Sequence, residues 1–77
     1  MDERQKRIFN ALVNAWPAPL VSRSQVEKFS GGSIRARTLN NLDCRGLGPD
    51  GKILVGGRVA YERDNLAEWI AKRVRPL

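Results

Sequence analysis

Apolar residues recur along the chain in two rhythms, one helical and one of period two. Between residues 2 and 16 they fall at Ile8, Phe9, Leu12, Val13 and Trp16, the i, i+3/i+4 stripe of an amphipathic helix. Asp2 and Glu3 suit the positive start of that helix, and Pro17-Ala18-Pro19 ends it sharply. A second, short helix is expected over Leu20 to Ser30. Two capping boxes compete for its start, Ser22 with Gln25 and Ser24 with Glu27. Ser22 is preferred: it puts Val21 and Val26 at the two ends of a hydrophobic staple, where Ser24 would put Arg23 and Lys28. Val26 and Phe29 then face inward.

Ser30-Gly31-Gly32-Ser33 makes the turn into a third helix, contained in Ser33 to Leu47 and pressed on the core by Leu39 and Leu42. Gly46 suits the left-handed position after a helix end, with Leu47 placed to pack back on Leu42 as in a Schellman motif. Two short helices joined by a glycine-containing turn make a helix-turn-helix. After Gly48-Pro49-Asp50-Gly51 the rhythm changes. Lys52-Ile53-Leu54-Val55 and Arg58-Val59-Ala60-Tyr61 flank Gly56-Gly57, and a primed two-residue turn needs the positive φ that glycine supplies. In that register Val55 faces Arg58, Leu54 faces Val59 and Lys52 faces Tyr61. Leu54, Val59 and the Tyr61 ring are expected to share the buried face, with Arg58 at the tip on the other. A lone hairpin is marginal, so this one must lean on the helices, as a wing does. Asp64 to Val74 closes the chain as a helix with Leu66, Trp69 and Ile70 inward, capped by Asp64 or by Asn65. The expected fold is α+β and mostly helical: one winged helix-turn-helix domain over residues 1–77, with a two-stranded hairpin wing and an additional N-terminal helix.

Composition narrows the function. A chain of 77 residues buries only about 60% of its unfolded surface, and the single cysteine, Cys44, offers no disulfide to help. With no histidine and one thiol there is no metal site and no catalytic dyad to propose, and Gly31-Gly32 lacks the spacing of a phosphate-cradling loop. No enzyme activity and no cofactor are expected. No apolar run is long enough for a membrane span, and Met1-Asp2-Glu3-Arg4 does not resemble a signal peptide. A cytoplasmic, nucleoid-associated protein is therefore expected. Fourteen Lys+Arg against eight Asp+Glu leave a net charge of +6, and a small basic domain collects polyanions.

The third helix tells which polyanion. Its polar face carries arginine, threonine and asparagine, the side chains that read base edges in a major groove: Arg forks onto guanine, Asn onto adenine, and Thr offers a hydroxyl and a methyl. Arg35, Arg37, Thr38 and Asn41 are the candidates for the groove. Arg35 alternatively holds the helix start and touches phosphate only, and Thr38 alternatively caps or packs locally. Asn40 and Arg45 flank them towards the backbone, Arg23 is a candidate phosphate clamp, and Arg58 with Lys52 would act from the wing. Asp43 is awkward there, and must sit away from phosphate or pair with an arginine. Arg4, Lys6 and Arg7 read as a solvated face, Trp16 and Trp69 as core, and Cys44 as a spectator.

Leu20-Val21-Ser22-Arg23-Ser24-Gln25-Val26, Arg37-Thr38-Leu39-Asn40-Asn41-Leu42 followed by Gly46-Leu47-Gly48-Pro49, and Val55-Gly56-Gly57-Arg58-Val59-Ala60-Tyr61 ending in Asp64-Asn65-Leu66-Ala67-Glu68-Trp69-Ile70 together resemble excisionase-like domains of the MerR-like winged-helix branch, over roughly residues 20 to 71. The resemblance implies that the second helix of the pair enters the major groove and the wing reaches the adjacent backbone or minor groove. It also implies a phage or integrative-element protein that binds repeated DNA sites with cooperative self-association, bends them, and steers a tyrosine integrase towards excision. Some relatives are instead phage transcriptional regulators or DNA-binding parts of packaging proteins. The helix at residues 2 to 16 is absent from the smallest members, and an adaptor holding a partner through that helix is the other alternative.

Overall fold

The computed structural model describes residues 1–77 as four α-helices and a three-stranded antiparallel sheet. Helix α1 spans Glu3–Ala15. Asp2 caps it: its carboxylate accepts from Gln5 N at 2.8 Å while the Gln5 amide oxygen accepts from Asp2 N at 3.1 Å, a reciprocal capping box. At the other end Trp16 turns extended (φ −113°, ψ 113°), as the residue before a proline must when the ring crowds the α region.

Chain order next departs from expectation. Leu20–Ser30 is not one helix. Leu20–Ser22 is a strand, β1, followed by a 3-10 turn at Arg23–Gln25 and a single helical turn, α2, at Val26–Phe29. Ser22 does stand at the start, in extended conformation, but its hydroxyl caps no backbone N–H. It bonds the Gln25 side-chain oxygen at 3.0 Å and lies 3.1 Å from the Ser24 hydroxyl. The reason is tertiary: β1 pairs antiparallel with the last strand, Val21 opposite Tyr61, so the backbone N–H and C=O groups a helix would use are taken by a sheet. Val21 and Val26 are both fully buried, so the apolar half of the staple survives the change of backbone.

Gly31 (φ 67°) and Gly32 (φ 86°) carry the chain round to α3, Ala36–Cys44, with Arg35 extended just before it. Its end is the anticipated motif. Leu47 N donates to Leu42 O at 2.8 Å and Gly46 N to Asp43 O at 3.0 Å, with Gly46 at φ 71°, the paired bonds of a Schellman turn. Leu47 itself stays half exposed.

Strands β2 (Lys52–Val55) and β3 (Arg58–Glu62) form the hairpin in the expected register, Val55 opposite Arg58 and Lys52 opposite Tyr61, across two glycines with positive φ. Because β1 adds to the far edge of β3, the order is β1-β3-β2 and β3 is central. Here a second expectation fails. Tyr61 is buried and Val59 partly so, but Leu54 is 72% exposed. The hairpin runs past the edge of the core, and its β2 strand has no buried position at all.

Helix α4, Arg63–Lys72, starts earlier than either proposed cap, two residues before the Asp64 choice and three before the Asn65 one. Glu62 is its first flanking residue, and neither Asp64 nor Asn65 caps the backbone; Asn65 instead donates to the Glu62 carboxylate at 3.3 Å. Leu66, Ala67, Ile70 and Ala71 are buried on it. The core joins Val21, Val26, Phe29, Leu39 and Tyr61 to Leu66, Ala67 and Ile70, with Phe9, Leu12, Val13, Trp16 and Trp69 packed around it. Both tryptophans are thus packing residues. Trp16 meets Phe29 edge-on at 5.5 Å between ring centroids and donates its indole N–H to Leu20 O at 2.9 Å, and Trp69 donates to Leu47 O at 3.1 Å.

Candidate nucleic-acid interface

Helix α3 has two faces of different chemistry. Leu39 is fully buried, Leu42, Ala36 and Asp43 are partly so, and Arg37, Thr38, Asn40, Asn41, Cys44 and Arg45 are exposed. At 3.6 residues per turn, Arg37, Asn41 and Arg45 succeed one another along one ridge with Thr38 beside them. The ridge carries no acid. The one carboxylate of the helix, Asp43, points the other way.

What holds Asp43 inward is a polar knot. The Arg23 Nη2 donates to Asp43 Oδ2 at 2.7 Å, its Nη1 to Asn40 Oδ1 at 2.8 Å, and its Nε to the Tyr61 hydroxyl at 3.0 Å. The Tyr61 hydroxyl in turn donates to Asp43 Oδ2. One guanidinium thereby ties the 3-10 turn to α3 and to the central strand. Asp43 keeps only 4% of its side chain exposed, against 23% for Arg23, so the pair is largely out of water and its hydrogen bonds are strengthened accordingly. Burial, together with the hydrogen bond to Asp43, pushes the Tyr61 phenol up to about 12. Burial works against the charged Arg23 guanidinium, but the bonds to Tyr61 and Asp43 outweigh it and raise its pKa. Gly48 belongs to the same arrangement, because a Cβ there would overlap the Asp43 carboxylate.

Arg23 is therefore not the free phosphate clamp expected of it: every guanidinium nitrogen already has a protein partner. Asn40 is likewise committed through its oxygen, leaving only its amide N–H groups for an outside ligand. An arginine partner is one of the two arrangements the sequence allows Asp43, but twenty residues separate it from Arg23 and nothing local signals the contact. The sequence marks Tyr61 only as a core ring; its hydroxyl as the third member of the knot is visible only in the fold. Arg35 stands at the α3 start, exposed, without a side-chain cap.

Arg58 is exposed at the tip and borders a shallow dip with Ser22, Arg23, Ser24 and Val59. Lys52 is exposed on the opposite face of the sheet from Arg58, beside Tyr61 in register. Elsewhere, Arg73 stacks on Trp69 with its guanidinium carbon 4.0 Å from the ring centroid, so one of the terminal cations is spent on packing. Cys44 is exposed with no partner for nucleophilic chemistry nearby in sequence. No group of three His, Cys, Asp or Glu side chains comes together to hold a metal, and no helix is long and apolar enough to cross a membrane. No protein-family model, curated protein or solved structure matches the chain.

Proposed function

We propose that the protein binds double-stranded DNA in a sequence-specific manner, with α3 as the recognition helix in the major groove and the β2–β3 hairpin as a wing on the adjacent backbone or minor groove. One observation carries this reading: the exposed face of α3 offers Arg37, Thr38, Asn41 and Arg45 with its only acid turned inward and neutralised by Arg23. A surface helix needing only solubility has no reason to segregate its single carboxylate. A helix facing phosphate does, because like charge at close range costs binding energy. Arg37 and Asn41 read base edges, Arg45 and Arg35 hold the flanking phosphates, and Arg58 and Lys52 hold the backbone from the wing.

With the resemblance to excisionase-like domains, the favoured role is that of a recombination directionality factor that bends DNA and assists a tyrosine integrase. A small transcriptional regulator would use the same two surfaces. Titration of fluorescent duplexes selected from a random pool tests the DNA reading. Arg37→Ala is expected to cost about 1–3 kcal/mol on the selected sequence and to relax discrimination at one base pair, while Arg58→Ala weakens selected and scrambled duplexes alike. Equal losses on both duplexes for Arg37→Ala would refute base reading by α3.

A further inference from the structure

Strand β2 breaks the ordinary rule for an edge strand. It is apolar on both faces and exposed on both: Leu54 is 72%, Val55 50% and Ile53 37% exposed. Leu54 leaves the sheet on the Val59–Tyr61 side, the side from which the Tyr61 hydroxyl reaches Asp43 of α3, and stands opposite Val59, the outermost residue of that face to touch the core. Ile53 and Val55 leave on the other side. Edge strands are normally protected by charge, proline or a bulge, and this one has none of them between Lys52 and the turn. Past it the hairpin narrows to two side-chain-free residues, Gly56 and Gly57, with open space around both.

A blade bare on both faces does not fit a flat partner, which would leave one face wet. It fits a slot with two walls. The hairpin's charges name the walls: Lys52 and Arg58 bracket the apolar run, one on each face, and no acid lies between them. The complementary slot has apolar walls and anionic rims, which describes the minor groove of DNA, with sugars inside and phosphates along both lips. That groove is about 6 Å wide in ordinary duplex, too narrow for a hairpin carrying leucine, so entry must open it.

We propose that Leu54 is an apolar wedge: the hairpin enters the minor groove, Lys52 and Arg58 take the phosphates of opposite lips, and the Leu54 side chain unstacks a base step and kinks the duplex. The proposal rests on the DNA-binding reading and adds to it a deforming residue. Apolar side chains inserted this way kink DNA towards the major groove, and pyrimidine–purine steps yield most easily. The wedge therefore confers a preference for deformable sequence that α3 does not supply.

The test uses the full chain and two short end-labelled duplexes that both carry the sequence selected from the random pool, one with TpA steps and one with an A-tract beside it, reading affinity by anisotropy and bending by end-to-end energy transfer. The intact protein is expected to bind the TpA duplex about tenfold more tightly than the stiff A-tract and to raise energy transfer on it. Leu54→Ser, at a position too exposed to endanger folding, is expected to erase both the preference and the bend while keeping most of the A-tract affinity; Leu54→Met restores them. Unchanged preference and bending in Leu54→Ser overturn the wedge and leave DNA binding standing. So does equal weakening on both duplexes, which would make Leu54 a plain contact. If Leu54→Ser changes only concentration-dependent sedimentation of the free protein, β2 is instead a face for a second copy and the wedge is wrong. If the intact protein binds neither duplex, the DNA reading itself falls.

Discussion

Asp43 is the single carboxylate of α3, and Arg23 holds it off the exposed face of that helix. Removing the arginine strands a carboxylate that is almost wholly buried. Loss of one partner from such a pair costs about 3–5 kcal/mol, a large share of what so small a domain possesses. Arg23→Ala should accordingly shift the urea midpoint far down, whereas Arg37→Ala, exposed and without a recorded partner, should leave it within about 0.5 kcal/mol. Tyr61 allows a cleaner reading, because it is the only tyrosine in the chain. Its phenol is held up to about 12 in the fold, against roughly 10 in an unfolded chain. A raised pKa means that the neutral form is the stabilised one. Its contribution is complete below pH of about 10 and is lost as pH climbs through the folded value. The phenolate absorbance band should therefore appear near 12 in the native protein and near 10 in denaturant, and Asp43→Asn should bring the native midpoint down. A native midpoint at the ordinary value would mean that the knot does not form.

Among the elements, α3 is bounded by chemistry that can be tested one residue at a time. Gly46 adopts φ 71° with nothing within 4 Å of where a Cβ would stand, so its substitution meets no clash and reports the backbone alone. Gly46→Ala should cost about 1–2 kcal/mol, the penalty of a left-handed L-residue, measurable by thermal unfolding. Gly48→Ala differs in kind. It has ordinary φ, but its added carbon displaces the Asp43 carboxylate, so it should lower the Tyr61 midpoint as well as stability, an effect Gly46→Ala should not share. The stretch Leu20–Ser30 shows where local signals stop deciding. Its staple valines are both buried, but Ser22 caps no backbone N–H, and a three-residue strand precedes the turn because β3 offers a pairing edge there. A triplet as short as Leu20-Val21-Ser22 is compatible with either backbone until its neighbour is known.

At the scale of the molecule, α1 and α4 lie antiparallel and are fastened at both ends. Near the start of α1, the Gln5 amide donates to Val74 O at 3.1 Å and Lys72 O at 3.4 Å, which lie at the carbonyl-rich end of α4. At the other end Arg63 Nη1 donates to Trp16 O at 3.1 Å and Arg63 N to Pro19 O at 2.8 Å. No residue of α1 is itself buried, but Phe9, Leu12 and Val13 cover the core from outside. A chain lacking residues 1–15 should therefore lose its cooperative thermal transition, visible by circular dichroism; a sharp transition in the shortened chain would make α1 an appendage. This placement also uses the apolar stripe of α1 internally, which weakens the adaptor reading. If the α3 ridge and hairpin together neutralise about five phosphates, log affinity should fall against log salt with a slope near −4 to −5.

Periodicity, caps and turn glycines are short-range properties, and for that reason the chain alone determined α1, the bounds of α3 to within a few residues, the Schellman stop, the hairpin register and the residues of the exposed α3 ridge. For Asp43 it left two arrangements open, away from phosphate or paired with an arginine. Only the tertiary structure decided that Asp43 pairs, and with Arg23, that Leu20–Ser22 is a strand, and that Leu54 stands in solvent while Tyr61 two places along the same face is sealed. Each depends on what lies across from a residue rather than beside it: a hydrogen-bonding edge, a buried carboxylate, or the point where the core ends and the sheet runs on.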